Sequence, residues 1–291
     1  MTSEMKSLLD MRQTFTPPSS LPRQLFIAAG DPQPAPATVI IVAHPDDEVV
    51  GGGARLPRLR QAVFIHVTDG APRDLRDATA AGFATRLDYA RARRRELTAA
   101  LALAGIEPEQ TRELGCTDQE AALQLVDLSR RVATMLRELQ PEVVITLPYE
   151  GGHPDHDATA FVVHAACRLL ESQHMPPPAL IEMTSYHNSA TGIEVCDFLP
   201  GSGCEATTLV LSEAERDFKQ RLFDCFPTQQ RTLSLFPIAI ERFRPASRYR
   251  FTQPPHEGSL FYEHFPWGMT GERFRCLAGQ ATAVMGIAGA I

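Results

Sequence analysis

"VIIVAHPDDEVVGGG", residues 39–53, sets an apolar run directly against His44, Pro45, three consecutive acids and three glycines. Near-continuous β-branched runs are what strands buried on both faces look like, and such strands belong to parallel sheets. Three further runs follow: "AVFIHVT" at 62–68, "EVVITLP" at 142–148 and "LIEMTSY" at 180–186. Amphipathic stretches at 87–103, 120–139 and 157–170 lie between them. The alternation predicts βαβ units, hence an α/β fold with a mostly parallel sheet and helices on both faces. In such sheets the ligand site lies beyond the carboxyl ends of the strands. His44 to Asp47 then occupy the loop closing the first strand, and Glu48 begins the next helix. Charge at that point is where an α/β protein keeps its site.

The rest of the chain narrows the class. Its 291 residues are 44% hydrophobic and 22% charged, ordinary for a soluble globular protein with a substantial core. A net charge of -7 argues against a general nucleic-acid binder, and "RARRREL" at 91–97 reads as the solvated face of a helix. No stretch has the roughly 18 apolar residues of a membrane span, and the N-terminus has no hydrophobic signal core, so a cytoplasmic location is expected. Six cysteines without a C-x-x-C pair read as free thiols, Cys196 and Cys204 being the one pair worth checking. Residues 1–37, with "TPPSSLP" and "GDPQPAPA", read as an N-terminal arm, and residues 38–291 as a single domain. No phosphate-binding glycine motif follows a strand, so a nucleotide site is not expected.

A second knot of the same kind lies at the end of the third run: "LPYEGGHPDHDAT", with His153 and His156 three apart, Asp155 between them, and Gly151 and Gly152 free to bend. Catalytic zinc takes three nitrogen or oxygen ligands and leaves a position for water, so H-x-x-D from one loop plus a histidine from the other suffices. A divalent charge would also offset acids that are otherwise costly to crowd together. Either loop alone is more simply a polar turn, with Asp157 as helix cap; both together, on adjacent sheet ends, point to metal.

"AHPDDE" with "HPDH" resembles the LmbE-like, or PIG-L, family of zinc-dependent N-deacetylases. The resemblance covers about residues 38–160 and includes "VTDG" (67–70), "RRRELTAALALAGI" (93–106) and "LGCTD" (114–118). "FKQRLFDCFPTQ" (218–229) is similar to a weaker family pattern, and residues 230–291 are left as an unassigned C-terminal extension. The resemblance implies a Rossmann-like three-layer sandwich with the metal on His44, Asp47 and His156, Asp46 as general base and His153 as general acid. The metal is expected to be zinc, with iron(II) as the alternative in the cell. Adjacent side chains on an extended segment diverge, so Asp46 and Asp47 are not both expected to bind one ion. Water activated by metal and base would attack an acetamide carbon, giving acetate and an amine.

By the same resemblance Arg93 and Asp118 would contact hydroxyls of an N-acetylglucosamine-like ring. The expected partner is an N-acetylated small molecule, and a homo-oligomer fits the family. His66 and His164 read as packed or surface residues, and His187 could line the pocket rim. Trp267, in "LFYEHFPWGMTGERF" (260–274), reads first as core packing, although aromatics beside acids also stack on sugars. Two other functions stay open: a zinc-dependent hydratase or lyase on the same scaffold, and a non-catalytic carbohydrate-binding protein.

Overall fold

A computed structural model describes residues 35–189, 192–200 and 203–287. The first 34 residues of the expected N-terminal arm lie outside the described residues. Nine strands are described: β1 (Thr38–Val42), β2 (Val63–Pro72), β3 (Thr111–Asp118), β4 (Val143–Thr146), β5 (Ala179–Met183), β6 (Tyr186–Ser189), β7 (Gly192–Val195), β8 (Thr207–Val210) and β9 (Ile240–Pro245). The longer helices are α1 (Asp47–Gly52), α2 (Arg86–Leu103), α3 (Leu125–Leu139), α4 (Pro154–Ser172), α5 (Glu213–Phe223) and α6 (Gly271–Met285).

Seven of the strands form one sheet in the order β3-β2-β1-β4-β5-β9-β8. β1 to β5 run parallel, with Ile40 paired to both Phe64 and Ile145, and β9 runs antiparallel to β5 and β8. The expected mostly parallel α/β sandwich is therefore the observed fold. Alternation along β1 divides the core in two. Val39 and Ile41 face a cluster that includes Leu128 of α3, Phe161 of α4 and Phe274 of α6. Ile40 and Val42 face Val49 of α1, Leu97 of α2 and Leu222 of α5. A strand with apolar side chains on both faces has no polar face to show water, which is why the sequence reads as an unbroken run.

The order reverses at β1, which has β2 on one side and β4 on the other. Chains leaving two such neighbouring strands diverge to opposite faces and open a crevice between their loops. Both polar loops picked out in the sequence lie at that crevice.

Three local expectations change. "LIEMTSY" is not one strand: β5 ends at Met183, Thr184 N–H goes to Arg242 O (3.2 Å), and Tyr186 starts the separate β6–β7 hairpin. The helix expected over 120–139 begins only at Leu125, after a short 3₁₀ turn at Ala121–Leu123, because Asp155 holds that turn by its backbone. Residues 230–287 of the expected C-terminal extension are built into the core, since β9 joins the sheet and α6 packs its apolar face into the cluster beneath β1. None of the six cysteines forms a disulfide, so Cys196 and Cys204 are not paired with each other.

Candidate metal centre

The loop after β1 closes as a tight turn in which the backbone N–H groups of Asp46 and Asp47 both donate to His44 O (2.9 and 3.3 Å). Asp47 is the first residue of α1 and Asp46 its cap position, so the two side chains leave the backbone on either side of a helix start. Their divergence is as expected, although it arises from the turn and not from an extended strand. Asp47 folds back: its Oδ2 accepts from His44 N (2.7 Å) and its Oδ1 stands 3.2 Å from His156 Nε2. Asp46 turns the other way, its Oδ2 accepting from Arg93 Nη2 at 2.8 Å.

The loop after β4 reaches the same place. Gly151 has φ +73, a conformation that costs glycine little, and a Cβ on Gly152 would overlap the carbonyl oxygen of Tyr186. α4 starts at Pro154, whose missing N–H suits a first helical position, and His153 caps it, its Nδ1 accepting from Asp155 N (3.1 Å). Asp157 is therefore not the cap. It sits in the first turn of α4, and its Oδ1 accepts from the backbone of Glu150 (3.3 Å) and Gly151 (3.0 Å), pinning the glycine loop. Burial pushes its carboxyl up to about 8.

His156, one turn into α4, brings Nε2 to 3.2 Å from His44 Nδ1. The other nitrogens of the two rings have partners: His44 Nε2 lies 3.0 Å from Asp118 Oδ1, and His156 Nδ1 lies 3.3 Å from Ser185 Oγ. If those outer nitrogens carry the protons, both inner nitrogens and the Asp47 carboxylate are acceptors facing one another, an arrangement that calls for a cation. The His44, Asp47 and His156 ligand atoms all lie within 4.8 Å of one another and are buried. Two imidazoles and a carboxylate are the donor set of a catalytic divalent site. The electrostatics agree. Burial lowers the His44 pKa, but Asp118, Asp155 and Asp47 outweigh it and hold the ring well above its ordinary value, so this position attracts positive charge. Burial raises Asp47, and His156 and His44 together hold it well below the usual carboxylate range.

The remaining expected residues surround this centre. His153 packs edge-on against His44 with ring centroids 4.5 Å apart, and its Nε2 lies 3.8 Å from Asp118 Oδ1. Burial and the neighbouring His44 hold His153 well below the ordinary histidine value. Burial raises Asp46, although Arg93 opposes it. Arg93 is 4% exposed and commits Nη1 to Gly70 O (2.6 Å) and Nη2 to Asp46. Its two terminal nitrogens are thus occupied within the protein, and it meets the site chiefly as the partner of Asp46. Asp118 likewise points first at His44. Both line the cleft all the same.

Several contributors carry little or no signal in the sequence. Asp155, fully buried, accepts from the backbone of Gln119 (2.5 Å) and Ala121 (3.0 Å) and lies 3.5 Å from His44 Nε2, tying the turn after β3 to the centre. The cleft over the centre, about 150 Å³, is also walled by Tyr89, Tyr186, Gln229 and Trp267. Trp267 comes from the C-terminal segment read as packing; its ring lies 4.8 Å from His153 and stacks on Phe265 (4.5 Å, 12°). Its place among aromatics and acids was the available clue. His66, fully buried with Nε2 3.3 Å from Glu48 Oε1, and His164, packed against Tyr249 and Phe251, are core residues as read. His187 is buried too, with Nδ1 3.6 Å from Glu150, and does not line the cleft.

Residues 39–167 match the model of the family described as PIG-L: GlcNAc-PI de-N-acetylase. Among solved structures, a deacetylase-bog complex from the biosynthesis pathway of teicoplanin is 20% identical, with 72% of this chain and 97% of that one covered at a TM-score of 0.56. The A40926 pseudoaglycone deacetylase Dbv21 is 20% identical over 72% and 96% at 0.54. The conserved protein TT1542 from Thermus thermophilus is 18% identical over 73% and 94% at 0.52. At these identities the likeness is one of fold. Comparison with curated proteins gives no match.

Proposed function

With a PIG-L (LmbE-like) domain over residues 39–167 as the premise, we propose that this chain is a metal-dependent hydrolase that removes the N-acetyl group of an amino-sugar-like small molecule. The observation that carries the reading is the division of labour between two adjacent aspartates: Asp47 faces His44 and His156, while Asp46, turned away to Arg93, is left to handle a proton. His44, Asp47 and His156 would hold the divalent ion, zinc or iron(II). When bound, such an ion supplies Lewis-acid polarisation of a carbonyl and lowers the pKa of water toward neutrality.

The chain's own groups do the rest. Arg93 engages Oδ2 of Asp46, leaving Oδ1 to take a proton from the attacking water. His153 Nδ1 accepts a backbone N–H, so the neutral ring carries its proton on Nε2, which is directed at the cleft where the acyl oxygen would sit. Delivering a proton to the leaving nitrogen requires that ring to charge. Asp118 Oδ1 (3.8 Å) and Asp155 Oδ2 (4.0 Å) are the carboxylates placed to stabilise it. The balance closes when the proton that Asp46 takes from water is passed on to His153, which as the imidazolium turns Nδ1–H to Asp155 Oδ2 and gives its Nε2 proton to the leaving nitrogen; acetic acid, ionising to acetate, and a free amine are the products.

The test is release of amine from N-acetylated sugars by protein stripped with a chelator and then reloaded with zinc or iron(II). Metal-restored amine release is the expected result. Metal-loaded protein that frees no amine from any N-acetylated sugar would overturn the reading, and a hydratase or lyase would behave in that way.

A further inference from the structure

The loop that carries His153 into the site has little of its own to hold it. Between Tyr149 and His153 it consists of Glu150, Gly151 and Gly152, and the two glycines have no side chains with which to grip a neighbour. Its backbone is tied to Asp157 on one side and to Phe261 on the other, whose N–H donates to Gly151 O at 2.9 Å. The one side chain of the loop, Glu150, is 3% exposed and does not line the cleft.

Glu150 is anchored elsewhere. Its Oε1 accepts from Leu199 N (2.9 Å) and from Nη2 of Arg244 (3.0 Å), a buried residue of β9. Arg244 Nε donates to Oε2 of Glu182 (2.7 Å), its register partner on β5. Nη2 also donates to the Tyr249 hydroxyl (3.1 Å), and the guanidinium lies over the ring of Phe198 at 4.1 Å. On the far side of Glu150, Oε2 faces His187 Nδ1 at 3.6 Å. Apart from Glu150 itself, every member of this anchor lies outside the residues that match the family.

Stability does not account for the cluster. Two carboxylates and one guanidinium are costly to take out of water, and apolar side chains of the same volume hold a core together as well or better. What a guanidinium adds is direction, since its planar fork fixes the angle at which each carboxylate meets it. Here the sheet sets that direction through the pairing of Arg244 with Glu182, and Nη2 passes it to Glu150 and so to the loop. His153 needs such a reference. Two consecutive glycines leave the backbone before it free to turn, and a catalytic group about 1 Å out of place can lose about 100-fold in rate.

We propose that Arg244 is a positioning residue for the acid step: by holding Glu150 against the sheet it fixes the two-glycine loop and with it the place of His153. The deacetylase reading is needed for the step that is slowed, and not for the fixing of the loop.

The experiment uses full-length, metal-loaded protein. Arg244→Met alone strands two buried carboxylates, so it is made together with Glu182→Gln, which leaves the same formal charge in the cluster and takes the anchor from Glu150. Glu182→Gln alone keeps the contact between Arg244 and Glu150 and is the control, and Arg244→Lys restores part of the fork. Turnover is compared on an N-acetylated sugar, whose nitrogen must be protonated to leave, and on nitrophenyl acetate, whose phenolate leaves without a proton. Hydrogen exchange of residues 149–153 is followed beside that of β1. The double variant should keep its metal, lose about 10- to 100-fold in kcat on the amide and far less on the ester, and exchange faster at 149–153 while β1 does not. Arg244→Lys should recover part of the loss, and the control should behave as wild type. Equal losses on amide and ester with exchange raised in β1 as well would show a merely structural residue and overturn the proposal, as would a double variant that cleaves the amide at the wild-type rate. If wild type itself releases no amine, the deacetylase reading falls and exchange decides: faster exchange at 149–153 alone upholds the role of Arg244, and unchanged exchange there removes it.

Discussion

Replacing Asp118 separates two roles that the sequence and the geometry give it. As a sugar contact it should act on KM; as the partner of His44 it should act on the metal. The His44 Nε2 to Asp118 Oδ1 distance is 3.0 Å, and both residues are only 7% exposed. Burial raises the Asp118 pKa, but His44 outweighs it and holds the carboxyl below the usual carboxylate range, which identifies a charge-assisted bond in a dry setting. Carboxylates that fix a ligating histidine typically change metal affinity about 10- to 100-fold when removed, or about 1.4 to 2.7 kcal/mol. Asp118→Asn still offers a neutral oxygen to Nε2–H and should fall near the lower end. Asp118→Ala leaves His44 free to turn over and should fall near the upper. Zinc affinity is measured by competition with a chromophoric chelator, beside KM on the same preparations. An Ala variant that binds zinc as tightly as wild type, with only KM raised, would refute the orienting role and restore Asp118 to the substrate.

Two further outcomes test the fold that holds the site. Burial depresses His164 to about 4, so the folded ring stays neutral while the unfolded one takes up a proton below about 6.5. Its contribution is present above that pH and is lost as pH falls from about 6.5 toward 4, to a depth on the order of 3 kcal/mol. His164→Phe should flatten denaturation midpoints across that window, and parallel profiles for the two proteins would disprove the assignment. Lys219, fully buried, donates to Val50 O (2.8 Å) at the end of α1 and to Glu241 (2.9 Å), linking the helix that begins with Asp47 to β9. Lys219→Met leaves the buried Glu241 with only Ala54 N–H (2.8 Å) and the more distant Arg55 (3.8 Å), and should cost up to about 3 to 5 kcal/mol in urea titration; Lys219→Met with Glu241→Gln should recover part of it. No recovery in the double variant would show that the loss lies in packing and not in charge.

What the sequence disclosed and what it hid follow from range. The β1 run and the acids after it are local features: a strand with two buried faces must be apolar throughout, and a histidine with two aspartates is more charge than the turn at its end needs for closure, which Asp47 alone provides through His44 N–H. The loop at 150–156 was legible for the same reason, and the two together pointed to a site between adjacent strand ends. Contacts made across the fold left no local mark. Asp155 acts on the backbone of Gln119 and Ala121, more than thirty residues earlier, and nothing in "HPDH" distinguishes it from a spacer. Arg93 reads as one arginine in a row of three, and only the packing of α2 against the loop after β1 separates the buried one from half-buried Arg94 and exposed Arg95. The alternating "IERFRP" of β9 became a sheet strand because β5 offers it an antiparallel edge, a long-range pairing that a short mixed-polarity stretch does not announce.

The central claim, one metal ligand and one base from adjacent aspartates, is tested most directly by metal content measured beside turnover on Asp46→Asn and Asp47→Ala. Asp46→Asn should retain the ion, because Asp47, His44 and His156 are untouched, and lose about 10²- to 10⁴-fold in amine release, because an amide cannot take the proton from water. Asp47→Ala should lose ion and activity together. Metal-free Asp46→Asn, or Asp47→Ala with full occupancy, would contradict the account.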